Sequence, residues 1–106
     1  MLITCLIGAN LGEFPAGTTI GAIAWGSDPQ LRVYLEKLGG GYIVEMAYSG
    51  GWSGPKDLVG SIADTTLSVC CWGNIQIRFY FQRIVNEIQE FCWVGEWVQG
   101  ATIPTR

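Results

Sequence analysis

The chain has 106 residues and a net charge of −3, with six lysines and arginines scattered along it. That length holds one domain or two small repeats. Scattered cations form neither the basic stripe that nucleic acid requires nor a polybasic membrane patch. Histidine is absent, which removes the commonest general base and the commonest nitrogen ligand for metals.

Charged residues make up 14% of the chain, while glycine occurs 15 times and tryptophan five times. This balance suits strands joined by tight turns, with aromatic surfaces for binding. The cysteines are Cys5, Cys70, Cys71 and Cys92, with no C-x-x-C pair. Adjacent strand residues such as Cys70 and Cys71 project to opposite faces and rarely bridge. All four are read as free thiols acting as small hydrophobes, which leans toward a reducing compartment. No run approaches the roughly 20 apolar residues of a membrane span. Residues 2–9, LITCLIGA, lack a basic n-region and are read as a strand rather than a signal peptide. Localisation stays open on these grounds.

In chain order, residues 1–17 form a separate N-terminal segment. Leu2 to Ile7 offers an edge or closing strand, and Gly12 to Gly17 a loop. Strands are expected at about 19–25, 30–37, 42–49 and 56–62. Leu31, Val33 and Leu35 alternate there with Arg32, Tyr34 and Glu36, the period-two signature of a strand. Ser27-Asp28-Pro29 makes a turn, and Gly39-Gly40-Gly41 a hairpin able to take positive φ. A second set of strands follows at about 67–72, 75–82, 87–94 and 97–103. Ile75, Ile77, Phe79 and Phe81 mark one face of its second strand. Asn86 serves the next hairpin. Residues 83–92 have some helical promise, but their place in the repeat makes them part of a strand.

The two sets are copies. Trp25-Gly26 matches Trp72-Gly73, Leu31-Arg32-Val33-Tyr34 matches Ile77-Arg78-Phe79-Tyr80, and Glu45 with Tyr48 matches Glu90 with Trp93. Trp52 matches Trp97. The offset runs from 47 residues at the first tryptophan to 46 at the arginine and 45 at the glutamate and last tryptophan. A period in the mid-forties built of short strands has the size of one propeller blade. The expected fold is therefore all-β, with two four-stranded antiparallel blades over 18–62 and 63–106. Two blades cannot close a ring, so the repeat constrains assembly as well as fold.

Pairing the first hairpin about its glycines sets position 32 opposite 47. Arg32 and Glu45 then become diagonal neighbours on one face. Pairing the second hairpin about Val85 gives Arg78 and Glu90 the same relation. Each repeat thus carries an arginine, a glutamate and two aromatics. A sugar site uses these groups: rings pack on the C–H face of a pyranose, a carboxylate accepts from hydroxyls, and a guanidinium donates. The arginine is expected to keep the glutamate ionised. The plainer alternative is a surface ion pair beside core tryptophans, and recurrence of the whole set weighs against it. Trp25 and Trp72 end the first strand of each repeat and are read as packing residues.

The segments IGAIAWGSDPQLRVYLEK, IQIRFYFQ, EMAYSGGW and EFCWVGEW resemble the fucose-binding lectins of the Aleuria aurantia lectin type. The resemblance covers about residues 18–103 and rests on the combination of motifs. It implies a six-bladed propeller with sugar sites between adjacent blades. Some members carry six blades in one chain, and a small bacterial member carries two and closes as a trimer, so a homotrimer is implied here. One site would join Arg32 and Glu45 to Trp93 and Trp97 of the neighbouring repeat, with Ile75 and Ile77 walling the fucose methyl. The other would join Arg78 and Glu90 to Tyr48 and Trp52 of the next protomer, with Leu31 and Pro29 as the weaker wall. Ala101 matches a small residue whose backbone amide helps hold the sugar.

Tyr48 departs from the usual tryptophan, and Lys56 replaces the small residue in the first repeat. The resemblance implies a lectin for L-fucose and fucosylated glycans that uses no metal or other cofactor and does not insert into membranes. A protein-interaction propeller and a glycoside hydrolase are the alternatives. Hydrolysis needs two carboxyls across one sugar, and Glu36, Asp57 and Glu96 do not recur at matching places. No catalytic residue is therefore expected.

Overall fold

The computed structural model describes residues 8–73 and 75–104. The edge strand expected over Leu2 to Ile7, and Cys5 within it, lie outside the described residues. Two four-stranded antiparallel sheets follow one another along the chain. The first contains β1 (Ile20–Trp25), β2 (Gln30–Glu36), β3 (Tyr42–Tyr48) and β4 (Trp52–Gly60). The second contains β5 (Leu67–Trp72), β6 (Gln76–Phe81), β7 (Glu87–Trp93) and β8 (Trp97–Pro104). Strand order equals sequence order in both, as hairpin-connected meanders require.

The turns follow from their residues. Gly39, Gly40 and Gly41 take φ of 95°, 79° and 86°, which a residue without Cβ adopts freely. Asn86 takes φ of 68°, a region asparagine tolerates better than most. These turns set the registers Arg32↔Ala47 and Arg78↔Cys92, as the hairpin pairing predicts. β4 departs from expectation by starting at Trp52 rather than near 56. Trp52 pairs with Tyr48 straight across the Gly50-Gly51 turn, so the strand forms at once. It then slips register, passing from Ala47↔Ser53 to Glu45↔Lys56. Gly54 and Pro55 fill that bulge on an edge strand, where a residue with no N–H is tolerated.

The sheets stack through unlike faces. The inner face of the first sheet carries Arg32, Tyr34, Glu36, Ile43 and Glu45. The second sheet meets it with Ile77, Phe79 and Phe81. Tyr34, Ile43, Ile77, Phe79 and Phe81 form one buried cluster. Phe79 has no exposed surface, and its ring lies 5.2 Å from Tyr34 and 5.5 Å from Phe81, Phe91 and Trp97. Each large apolar side chain so buried contributes about 1.5–3 kcal/mol.

The same repeat fastens the sheet entries. The Glu36 amide donates to Thr18 Oγ1 at 3.3 Å, and the Gln82 amide to Thr65 Oγ1 at 2.8 Å. The outer faces differ. On the first sheet, Leu35, Val44 and Met46 are covered by Leu11 and Phe14 from the preceding segment. On the second, Arg78, Tyr80 and Glu90 sit on a face that, among the described residues, no other sheet covers.

Gly21 lies where β1 packs against β5. A Cβ there would lie 2.5 Å from Leu67 Cδ2 and 2.9 Å from Val69 Cγ1. Gly21→Val overpacks this contact and is expected to lower the free energy of unfolding by about 1–3 kcal/mol. Chemical denaturation of the variant, alone and with Leu67→Ala, checks this. Partial recovery in the double variant is expected.

Candidate functional site: a cleft between the sheets

The inner face of the first sheet and the end of the second enclose a cleft of about 330 Å³, the size of a small-ligand pocket. Trp25, Arg32, Glu45 and Lys56 line it from the first sheet. Ile75, Ile77, Trp93 and Trp97 line it from the second. Six of the residues expected at one sugar site therefore converge here: Arg32, Glu45, Ile75, Ile77, Trp93 and Trp97. Trp97 is also part of the core, stacked on Phe91 at 5.3 Å with its plane tilted 9°.

The polar centre is held from several sides. Arg32 Nε lies 4.0 Å from Glu45 Oε2. Its Nη1 donates to the carbonyl of Leu31 at 2.8 Å and to that of Tyr48 at 3.4 Å. Its guanidinium carbon stands 4.9 Å from the Trp25 ring centroid, within cation–π range. Tyr34 OH donates to Glu45 Oε2 at 2.9 Å. Burial in the blade interface, then the Glu45 charge, push the Tyr34 phenol well above its ordinary range, so it stays a donor.

The second sheet repeats this arrangement on its outer face. Arg78 Nε lies 4.0 Å from Glu90 Oε2, and its Nη1 donates to the carbonyls of Ile77 at 2.9 Å and Trp93 at 3.5 Å. Its guanidinium stands 4.8 Å from the Trp72 ring. Tyr80 OH donates to Glu90 Oε2 at 2.9 Å. Trp25 and Trp72 are thus ring partners of the arginines, which for Trp72 corrects its assignment to packing. Trp25 does touch the core, but Trp72 is 51% exposed. Tyr34 and Tyr80, given no site role from sequence, orient the glutamates. The signal was present: each is two residues past its arginine, hence on the same strand face.

The sheets differ at one carboxylate oxygen. Ala101 N–H donates to Glu90 Oε1 at 3.1 Å. That bond comes first, then the Tyr80 hydroxyl, in holding the Glu90 carboxyl below its ordinary 4.5. Arg78 is a lesser cause, so the guanidinium is not the main reason this glutamate stays ionised. The Ala101 amide is occupied by the glutamate, and its contribution to any ligand passes through that carboxylate. Gly100 makes the bond possible, because a Cβ there would lie 2.3 Å from Glu90 Oε1 and 2.8 Å from Cys92 Sγ.

On the far side of the chain, Pro29, Leu31, Tyr48 and Trp52 line a second open cavity with Gly8, Ala9 and Leu11. Tyr48 and Trp52 lie edge to face, 5.4 Å apart. The two halves expected of the second site, Arg78, Glu90 and Ala101 against Tyr48, Trp52 and Leu31, sit on opposite outer faces. They do not meet within one chain.

The chain is 35% identical to the fucose-specific lectin of Aleuria aurantia over 93% of its own length and 34% of the relative's. It spans about a third of the relative it matches. Among solved structures it superposes on an Aleuria aurantia lectin mutant in complex with alpha-methyl-L-fucoside at a TM-score of 0.79. Identity there is 35%, covering 92% of this chain and 34% of the other. A similar match (TM-score 0.76, 35% identity) covers 89% of this chain and 32% of a fungal lectin described as a six-bladed β-propeller. No protein-family model matches the chain.

Glu90 titrates below its ordinary value in the folded chain, so its interactions stabilise the fold fully above about 4.5. That contribution is lost as pH falls through the depressed folded value. Gly100→Ala displaces the carboxylate from the Ala101 amide and is expected to raise the Glu90 pKa. NMR titration of the Glu90 side chain in both proteins measures this, and an unmoved value would contradict the clamp.

Proposed function

Starting from its homology to the Aleuria aurantia fucose-specific lectin, we propose that this chain is a non-catalytic lectin for L-fucose and fucosylated glycans. The observation that carries the proposal is the duplicated Trp–Arg–Tyr–Glu arrangement with matched distances. One copy faces a closed aromatic and aliphatic wall, and the other faces outward. In the closed cleft, Trp93 and Trp97 pack on the C–H face of the sugar. Glu45, fixed by Tyr34, accepts from hydroxyls. Arg32, fixed by two carbonyls, donates to hydroxyls or the ring oxygen. Ile75 and Ile77 cover the C5 methyl that distinguishes fucose from a hydroxymethyl sugar. Such contacts need no metal.

The blades are 18–62 and 63–106, and residues 1–17 are a segment added to them. Three chains complete a six-bladed ring, of which two blades are a third. The related six-bladed lectin is covered to about that fraction. Ring closure brings Arg78, Glu90 and the Ala101-held carboxylate against Tyr48, Trp52, Leu31 and Pro29 of the next chain. Leu11 and Phe14 stand on the face that chain approaches, so closure shares or displaces them. Catalysis is not proposed, because among the described residues Glu45 is the only carboxylate lining the closed cleft and hydrolysis needs two across one sugar.

Calorimetric titration with methyl α-L-fucoside in excess EDTA tests this. Two fucosides per chain are expected in a ring and one if only the intrachain cleft binds, each with Kd in the roughly micromolar range, about −8 kcal/mol. Glu45→Gln is expected to remove one site per chain while leaving the protein folded. No heat at any temperature and no rise in Tm with fucoside would overturn the proposal.

A further inference from the structure

The two blades of this chain offer an internal comparison. At the place of Ala101 in β8, β4 carries Lys56, and at the place of Gly100 it carries Pro55. Glu90 is held through both oxygens, Oε2 by Tyr80 and Oε1 by the Ala101 amide. Glu45 is held through Oε2 by Tyr34, and among the described residues no hydrogen bond reaches its Oε1.

Lys56 is the direct cross-strand partner of Glu45. It is exposed, and it lines the closed cleft beside Arg32, Trp93 and Trp97. Among the described residues its ammonium forms no ion pair within 4 Å. The next acid in sequence, Asp57, is taken by Lys37 at 2.9 Å. The closed cleft therefore gathers two cations around one carboxylate, whereas the outward half-site has one of each. The extra charge lies at the rim, on a compact, strongly hydrated ammonium suited to a point anion.

We propose that Lys56 makes the intrachain cleft selective for fucosylated glycans that carry an anion on a sugar near the fucose. The anion is a sulfate ester or a carboxylate. This rests on the lectin function proposed above and adds the ligand class for one of its two sites. The fucose occupies the Arg32–Glu45 floor and the anion-bearing sugar extends past Lys56. An exposed pair of this kind changes affinity roughly two- to five-fold, and salt erodes the gain.

The test uses the full chain carrying Trp52→Ala, which silences the interchain half-site, so that titration reports the intrachain cleft. Three probes are titrated: a neutral fucosylated N-acetyllactosamine, its galactose-sulfated form and its sialylated form. At low salt the anionic forms are expected to bind roughly two- to five-fold tighter than the neutral one. The ratio is expected to fall to unity in about 1 M salt and in Lys56→Gln. Preference for the sulfated probe alone names the sulfate ester, and for the sialylated probe alone the carboxylate. Equal affinity for all three at low salt, or a preference that survives Lys56→Gln, overturns the inference and leaves the lectin proposal standing. Failure of all three probes to bind the folded variant overturns the inference, and failure of methyl α-L-fucoside to bind the unsubstituted protein overturns the lectin proposal as well.

Discussion

The contact between Phe79 and Tyr34 is where the two sheets become one structure. Phe79 fills the centre of an aromatic cluster, and Tyr34 closes it from the opposing sheet with no surface left in solvent. A fully buried hydroxyl must find an acceptor, and Tyr34 finds Glu45 at 2.9 Å. That bond points the carboxylate into the cleft beside Arg32. Core packing and site geometry therefore share a residue, and loosening one blade against the other would loosen the site.

The same contact explains why the chain is asymmetric although its sequence is repeated. Tyr34 and Tyr80 make the same bond to matched glutamates, yet Tyr34 is buried and Tyr80 half-buried. The difference is the presence of a following blade. A sheet with two sides needs cover on both, and two sheets cover only the inner pair. The apolar outer side takes Leu11 and Phe14 as partial cover, while the polar outer side keeps a complete Trp72–Arg78–Tyr80–Glu90 set. Open ends with complementary halves of one site fit a ring of identical chains, the assembly proposed here.

Much of this was legible in the residues. Period-two alternation marked β2 and β6, the repeat and its turns placed the other six described strands apart from the start of β4, and the glycine hairpin gave the register that sets Arg32 opposite Ala47. The start of β4 was missed because Gly54 and Pro55 look like a break, whereas they are a bulge within a strand already begun at Trp52. Trp72 was misread because a tryptophan ending a strand usually packs, as Trp25 does, and nothing local shows an arginine from the next strand stacking on it. The role of the Ala101 amide was also hidden. It depends on how Gly100 lets a cross-strand carboxylate approach the backbone, which is a matter of register and bulge rather than composition.

Chain mixing tests most directly whether half of the binding capacity lies between chains. Both variants carry Glu45→Gln, so that the intrachain cleft is silent. One also carries Glu90→Gln, the other Trp52→Ala, and each alone is expected to bind no methyl α-L-fucoside. Mixed and allowed to exchange subunits, they place an intact Glu90 face against an intact Trp52 face. Recovery of fucoside binding in the mixture, with none in either parent, is the predicted result. Mixed rings that form, by native mass spectrometry, yet bind no fucoside would contradict the account.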